Sequence, residues 1–169
     1  MPEAWLRGPI AGVPPLLQPV AHALEHARED AHAAVERCPA ERLWARVGDA
    51  PSVGFHVRHL AGALDRLYTY ARGEVLSPPQ RAALAREASP GDALPPAAAL
   101  LAELDQTIER AIAQLRDTDV ASLLEGRGVG RQQLPSTVLG LLVHGAEHAA
   151  RHAGQAITTA RMGMQNSQG

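Results

Sequence analysis

The sequence predicts an all-α domain: a four-helix bundle with a long crossover between its second and third helices. Three observations predict it. Four stretches repeat apolar residues at helical spacing, no stretch alternates with the period of a strand, and a proline-rich segment over residues 74–96 parts the helices into two pairs. The 169 residues suit one domain, and with 46% of them apolar but only 3% aromatic, Leu, Val, Ile and Ala must fill its core. Sixteen basic residues, all Arg, face 18 acidic ones, so no polybasic surface points to nucleic acid or an anionic membrane. The single cysteine, Cys38, excludes an internal disulfide framework and a cysteine-based zinc module. Neither a signal peptide nor a membrane-length apolar run is evident, and the expectation is a soluble, cytoplasmic chain forming one domain over 1–169.

Residues 1–12, with Pro2, Gly8, Pro9 and Gly12, read as an irregular arm. After Pro14-Pro15 the first helix carries Leu16, Val20, Leu24, Ala27, Ala31 and Val35 on one face, and Pro39 ends it. A short helical piece through Leu43 and Trp44 follows, then a loop with Gly48, Asp49 and Pro51. Ser52 is a fitting N-cap for the second helix, whose stripe is Val53, Val57, Leu60, Leu64, Leu67 and Ala71 and whose C-terminal stop is Gly73. The crossover is expected to hold one or two helical turns around Ala82–Arg86. The third helix opens at Pro95-Pro96, runs to about Asp117 and presents Leu100, Leu104, Ile108, Ala111 and Leu115. Gly-rich Leu124–Leu134 suggests a loose hairpin. Ser136 is expected to cap the fourth helix, apolar at Val138, Leu142, Ala146, Ala149 and Ile157 and ending near Arg161, with residues 162–169 as a frayed tail.

Five of the eight histidines fall in two short clusters. His144, His148 and His152 stand at i, i+4 and i+8, within about 80° of one another on a single helix face. Chance would supply such a triple about 0.02 times in a chain with this histidine content. A solvent-facing polar stripe is the plain alternative, but Glu and Arg suit that role better than imidazole, a middling helix former. The second helix carries His56 and His59. Two bundle helices can aim imidazoles at one ion, an i, i+4 pair supplying two ligands and the neighbouring helix a third. Such a neutral three-histidine set leaves Zn²⁺, Ni²⁺ or Fe²⁺ with open positions, as a reaction site requires. Spacing alone leaves open whether His56 or His59 is the ligand. His22 and His26 are expected to face water. Glu29-x-x-His32 has the form of a di-iron element, but the second copy that chemistry needs is missing. His144-Gly145-Ala146-Glu147-His148 fits the inverted zinc-peptidase pattern, with Glu147 as base. Gly126–Gly130 has the glycines of a phosphate loop without its lysine.

Ser52-Val53-Gly54-Phe55-His56-Val57-Arg58-His59-Leu60-Ala61-Gly62, then Asp65-Arg66-Leu67, and His148-Ala149-Ala150-Arg151-His152-Ala153-Gly154-Gln155 resemble the DinB-like superfamily. The resemblance covers essentially the whole chain in the order and spacing of its helices. It implies a four-helix bundle with a long crossover, often a dimer, holding one divalent metal by three histidines. It matches His59, followed by Leu60-Ala61, to the ligand of the second helix, and His148 and His152 to those of the fourth. His144 then lies one turn away, as a supporting group or at the mouth of the site, and His56 is the alternative on the second helix. Relatives with assigned chemistry are thiol transferases using bacillithiol, mycothiol or glutathione, and a thiol-dependent maleylpyruvate isomerase. The family's frequent Arg before Gly-Gln is Ala153 in this chain.

The resemblance therefore implies a divalent-metal enzyme acting on a small molecule, foremost by thiol S-transfer, with Zn²⁺ or Ni²⁺ ahead of Fe²⁺ or Mn²⁺. Gln155, one turn beyond His152, is a candidate for orienting water or substrate, and Tyr70 and Arg66 share the His59 side as candidates for binding an acceptor. A hydrolase differs only in its nucleophile. A non-catalytic, stress-related metal-binding bundle is the other class, distinguished by a site closed with a fourth protein ligand.

Overall fold

The computed structural model describes residues 2–88 and 94–165, and among them the chain is an all-α bundle with one small hairpin. Five α-helices are present: α1 (Gln18–Arg37), α2 (Val53–Ala71), α3 (Pro78–Ala88), α4 (Ala97–Asp117) and α5 (Val138–Gln165). Strands β1 (Gly126–Val129) and β2 (Leu134–Thr137) pair antiparallel just before α5. α5 packs on both α2 and α1, and α4 closes the square against the same two helices, so α1 and α2 lie on one diagonal. No helix among the described residues is long and apolar enough to cross a membrane.

The core follows the apolar stripes. Leu24, Leu60, Leu104, Ile108, Leu115 and Leu142 are fully enclosed, and alanines at 27, 31, 149, 153 and 156 let the helices approach closely. α2 and α5 run antiparallel, and their seam is tight. A Cβ at Gly145 would stand 2.8 Å from the Tyr68 ring, while the Tyr68 hydroxyl donates to the Leu142 carbonyl at 3.4 Å. Burial pushes the Tyr68 phenol up, so it stays a neutral donor.

Local chemistry sets the ends. The Ser52 hydroxyl accepts from the Phe55 N–H and starts α2. At its other end Gly73, at φ +78°, donates to Tyr70 O while Glu74 donates to Thr69 O, a Schellman stop that only glycine enters without strain.

Several elements differ from the sequence expectation. Pro15–Leu17 forms a separate 3₁₀ turn before α1, which turns Leu16 out to 65% exposure and buries Leu17 in its place. α5 is capped by Thr137, whose hydroxyl accepts from the Gly140 N–H, because the helix begins at Val138 and so Thr137, the last residue of β2, stands in the N-cap position. α5 also continues through Met162 to Gln165 instead of fraying, and residues 166–169 lie outside the described residues. His22 does not simply face water; its Nε2 lies 3.0 Å from Gly8 O and ties the N-terminal arm to α1.

The largest difference is α3, three turns where one or two were expected. Ser77-Pro78-Pro79-Gln80 begins it as a capping box: Ser77 N–H donates to Gln80 Oε1 at 2.8 Å, and Gln80 N–H donates to the Ser77 hydroxyl at 3.4 Å. The prolines stand where a helix has no N–H to lose. Gln80 Nε2 also donates to Asp65 Oδ2 and Thr69 Oγ1, each at 2.7 Å. α3 is thereby laid antiparallel along α2, and its last turn arrives beside the histidines.

Candidate metal centre

Helix α2 brings His59, and α5 brings His148 and His152, to one point on their seam. One donor nitrogen from each lies within 4.8 Å of the others. His59 Nε2 and His148 Nε2 are 3.1 Å apart. Two imidazole nitrogens on one ion at about 2.0–2.1 Å, with angles from roughly 90° to tetrahedral, sit about 2.9–3.4 Å apart. That spacing falls inside the interval, so His59 and His148 can share a divalent cation, with a His152 nitrogen within 4.8 Å of both.

Each ring is held from behind. His59 Nδ1 donates to Glu87 Oε2 at 2.8 Å, which leaves Nε2 as the free lone pair, and Phe55 stacks on the ring at a centroid distance of 5.5 Å. His152 Nδ1 lies 3.1 Å from His56 Nδ1. If Nε2 of His152 is the donor, its Nδ1–H must point at His56, which then accepts. His56 is only 4% exposed and stands outside the three-histidine group, as a neighbour of His152.

Glu87, from the last turn of α3, is the residue that sequence reasoning missed. Its carboxylate accepts from His59 and is clasped by Arg66, whose Nη1 and Nη2 donate at 2.5 and 3.1 Å. Burial works to raise the Glu87 carboxyl, but the hydrogen bonds from His59 and Arg66 outweigh it and hold the group below its ordinary value, ionised. α2 makes room for this carboxylate with a missing side chain, since a Cβ at Gly62 would stand 2.0 Å from Glu87 Oε1. A carboxylate behind a ligand imidazole fixes its tautomer and raises its basicity.

Electrostatics favour neutral imidazoles. Burial, then the nearby His59, His148 and His56, push His152 down from 6.5 to about 4. Burial and His59 lower His148 and His56 as well. Imidazoles that resist protonation stay open to a cation.

The other candidates lie elsewhere. Arg66 is committed to Glu87 and only 11% of its side chain is exposed, so it supports the histidines rather than offering itself to an acceptor. Tyr70 stands about 16 Å further along α2 by helical rise, lining a separate cavity. Gln155 is exposed beside His56 in a cavity of about 380 Å³. His144 and Glu147 face outward, with His144 Nδ1 3.0 Å from Glu147 Oε2 and Arg151 also bound to that carboxylate. The His144–Glu147–His148 pattern therefore does not converge on one point, whereas His59, His148 and His152 do. Glu29 pairs with Arg7, and His32 reaches Asp105 across α4 at 2.9 Å.

The DinB superfamily matches the chain over residues 23–156. A crystal structure of a conserved protein from Enterococcus faecalis is similar in fold, with a TM-score of 0.70 at 17% identity, covering 87% of this chain and 96% of that one. An uncharacterised protein from Escherichia coli UTI89 is similar with a TM-score of 0.58 at 16% identity, covering 84% and 91%. No curated protein matches the chain.

Two outcomes follow from the site. Gly62→Ala, which improves helix propensity but displaces the Glu87 carboxylate, lowers affinity for Zn²⁺ by about 10–100-fold in chelator competition, and Glu87→Gln acts in the same direction. Wild-type affinity in both, with circular dichroism unchanged, contradicts the role given to Glu87. Because folded His152 titrates below its unfolded value, the unfolded chain binds more protons between about pH 6.5 and 4. Thermal stability of the metal-free protein therefore holds above pH 6.5 and falls as pH drops through that window, and His152→Gln flattens the fall; equal slopes in the two proteins contradict it.

Proposed function

The chain belongs to the DinB superfamily, and from that membership and the histidine geometry we propose a metal-dependent cytoplasmic enzyme that transfers a small molecule to or from the sulfur of a low-molecular-weight thiol. The observation that carries this reading is the convergence of His59, His148 and His152 from two helices, with three imidazoles and no carboxylate or thiolate in the group among the described residues. A divalent ion there, Zn²⁺ or Ni²⁺ foremost and Fe²⁺ or Mn²⁺ otherwise, supplies a Lewis acid that favours the thiolate, the nucleophilic form of a thiol.

The chain's own groups prepare that chemistry. Glu87 keeps the His59 proton on Nδ1, and Arg66 keeps Glu87 ionised. His56 holds the outer nitrogen of His152. Three protein donors, against the four of a closed structural site, leave room for a reacting group. Gln155, at the edge of the cavity beside His56, offers an amide to orient a small substrate.

Metal analysis and a thiol panel test the reading together. Purified protein loaded with Zn²⁺ or Ni²⁺ should hold one ion per chain and consume bacillithiol, mycothiol or glutathione in the presence of an electrophilic chloronitrobenzene, and His148→Ala should lose both properties. Failure to bind any divalent ion stoichiometrically, or thiol consumption that persists undiminished in His148→Ala, overturns it.

A further inference from the structure

A second, larger cavity of about 990 Å³ opens where the end of α2, the start of α3 and the β1–β2 turn meet. Its walls are pinned in place. Arg127 Nε donates to Ala71 O at 2.9 Å and fastens the hairpin to α2, while Arg81 donates to Leu76 O and fastens α3 to the loop before it. The hairpin turn is braced by Gln133, which sits at φ +50° and donates from Nε2 to Gly130 O at 2.8 Å.

The lining has two characters. Val75, Leu76, Leu84 and Ala85 form an apolar wall, and Val75 and Leu84 are 81% and 43% exposed. Arg81 and Arg131 line the same cavity. Arg131 has no hydrogen-bond or ion-pair partner among the described residues, and neither has the Tyr70 hydroxyl, whereas the one lining carboxylate, Glu74, is already neutralised by Arg72 at 2.8 Å. Seven other arginines of the described chain, at 7, 28, 66, 72, 110, 127 and 151, are paired with carboxylates. Arg81 and Arg131, which form no ion pair among the described residues, thus stand on one cavity with exposed apolar side chains.

We propose that this cavity binds an amphipathic organic anion, its apolar body against Leu84 and Val75 and its carboxylate or sulfonate between Arg81 and Arg131. The volume suits a small organic molecule. Charge-assisted hydrogen bonds from two guanidiniums, with the Tyr70 hydroxyl as a third donor, select the anionic end, and the apolar wall rejects fully hydrated ions such as inorganic phosphate. The site stands independently of the metal, since none of the three clustered histidines lines it.

The test uses two dyes with nearly the same apolar body: 8-anilinonaphthalene-1-sulfonate, which is anionic, and N-phenyl-1-naphthylamine, which is neutral. Fluorescence titration of the full chain should give saturable one-to-one binding of the sulfonate. Arg81→Gln/Arg131→Gln should weaken it about tenfold or more while leaving the neutral dye unchanged. Leu84→Asp should weaken both dyes, and His148→Ala should alter neither, which separates this proposal from the metal reading. Thermal melts confirm that each variant is folded. Non-saturable binding, or sulfonate affinity unchanged in the folded double-arginine variant, overturns the proposal.

Discussion

Everything at the histidine site depends on how closely α2 and α5 approach. Imidazole is short, and three rings from two helices share one point only if the backbones nearly touch. Gly145 against the Tyr68 ring sets that distance on one side of His148. Alanines at 149, 153 and 156 continue the narrow seam along α5, all essentially without exposure. Larger residues there would part the helices by the width of a methyl or more, and donors now 3.1 Å apart would lose their common focus. The alanine-rich composition that leaves the core poor in aromatics is what permits the convergence.

The second constraint comes from the crossover. A connection between helix pairs could run free over the surface, but α3 is held along α2 by Gln80 at one end and Glu87 at the other. Glu87 is a buried carboxylate, and such a group is retained only where it is fully paired. His59 and Arg66 pair it, and Gly62 gives it space. The same helix forms one wall of the large cavity through Arg81, Leu84 and Ala85. One eleven-residue helix thus connects the support of an imidazole to the wall of a binding pocket some turns away.

Most of the bundle was legible from periodicity because its four long helices each bury a continuous stripe, and the stripe residues Leu60, Leu104 and Leu142 sit where a 3.6-residue repeat puts them. Spacing made His144, His148 and His152 legible as one face of α5 but left His56 and His59 open, and it was the resemblance that singled out His59, His148 and His152 as the set. What stayed hidden depended on contacts distant in sequence. α3 has no marked apolar face, so periodicity could not find it, and its prolines read as breaks although Ser77 and Gln80 form the box that begins a helix. Glu87 lies 28 residues from His59, and no local pattern announces that pairing. The Ser77-Pro-Pro-Gln80 signature was the one clue available. Leu16 and Leu17 were confused because a 3₁₀ turn advances each residue by about 120° rather than 100°, which shifts the buried side by one position.

X-ray absorption spectroscopy on the zinc- or nickel-loaded protein addresses the central claim most directly, because it counts imidazoles around the ion without reference to activity. The expected first shell is three imidazole nitrogens at about 2.0–2.1 Å with the outer-shell scattering of intact rings. A first shell holding fewer than three imidazoles, or one containing sulfur from Cys38, would contradict it.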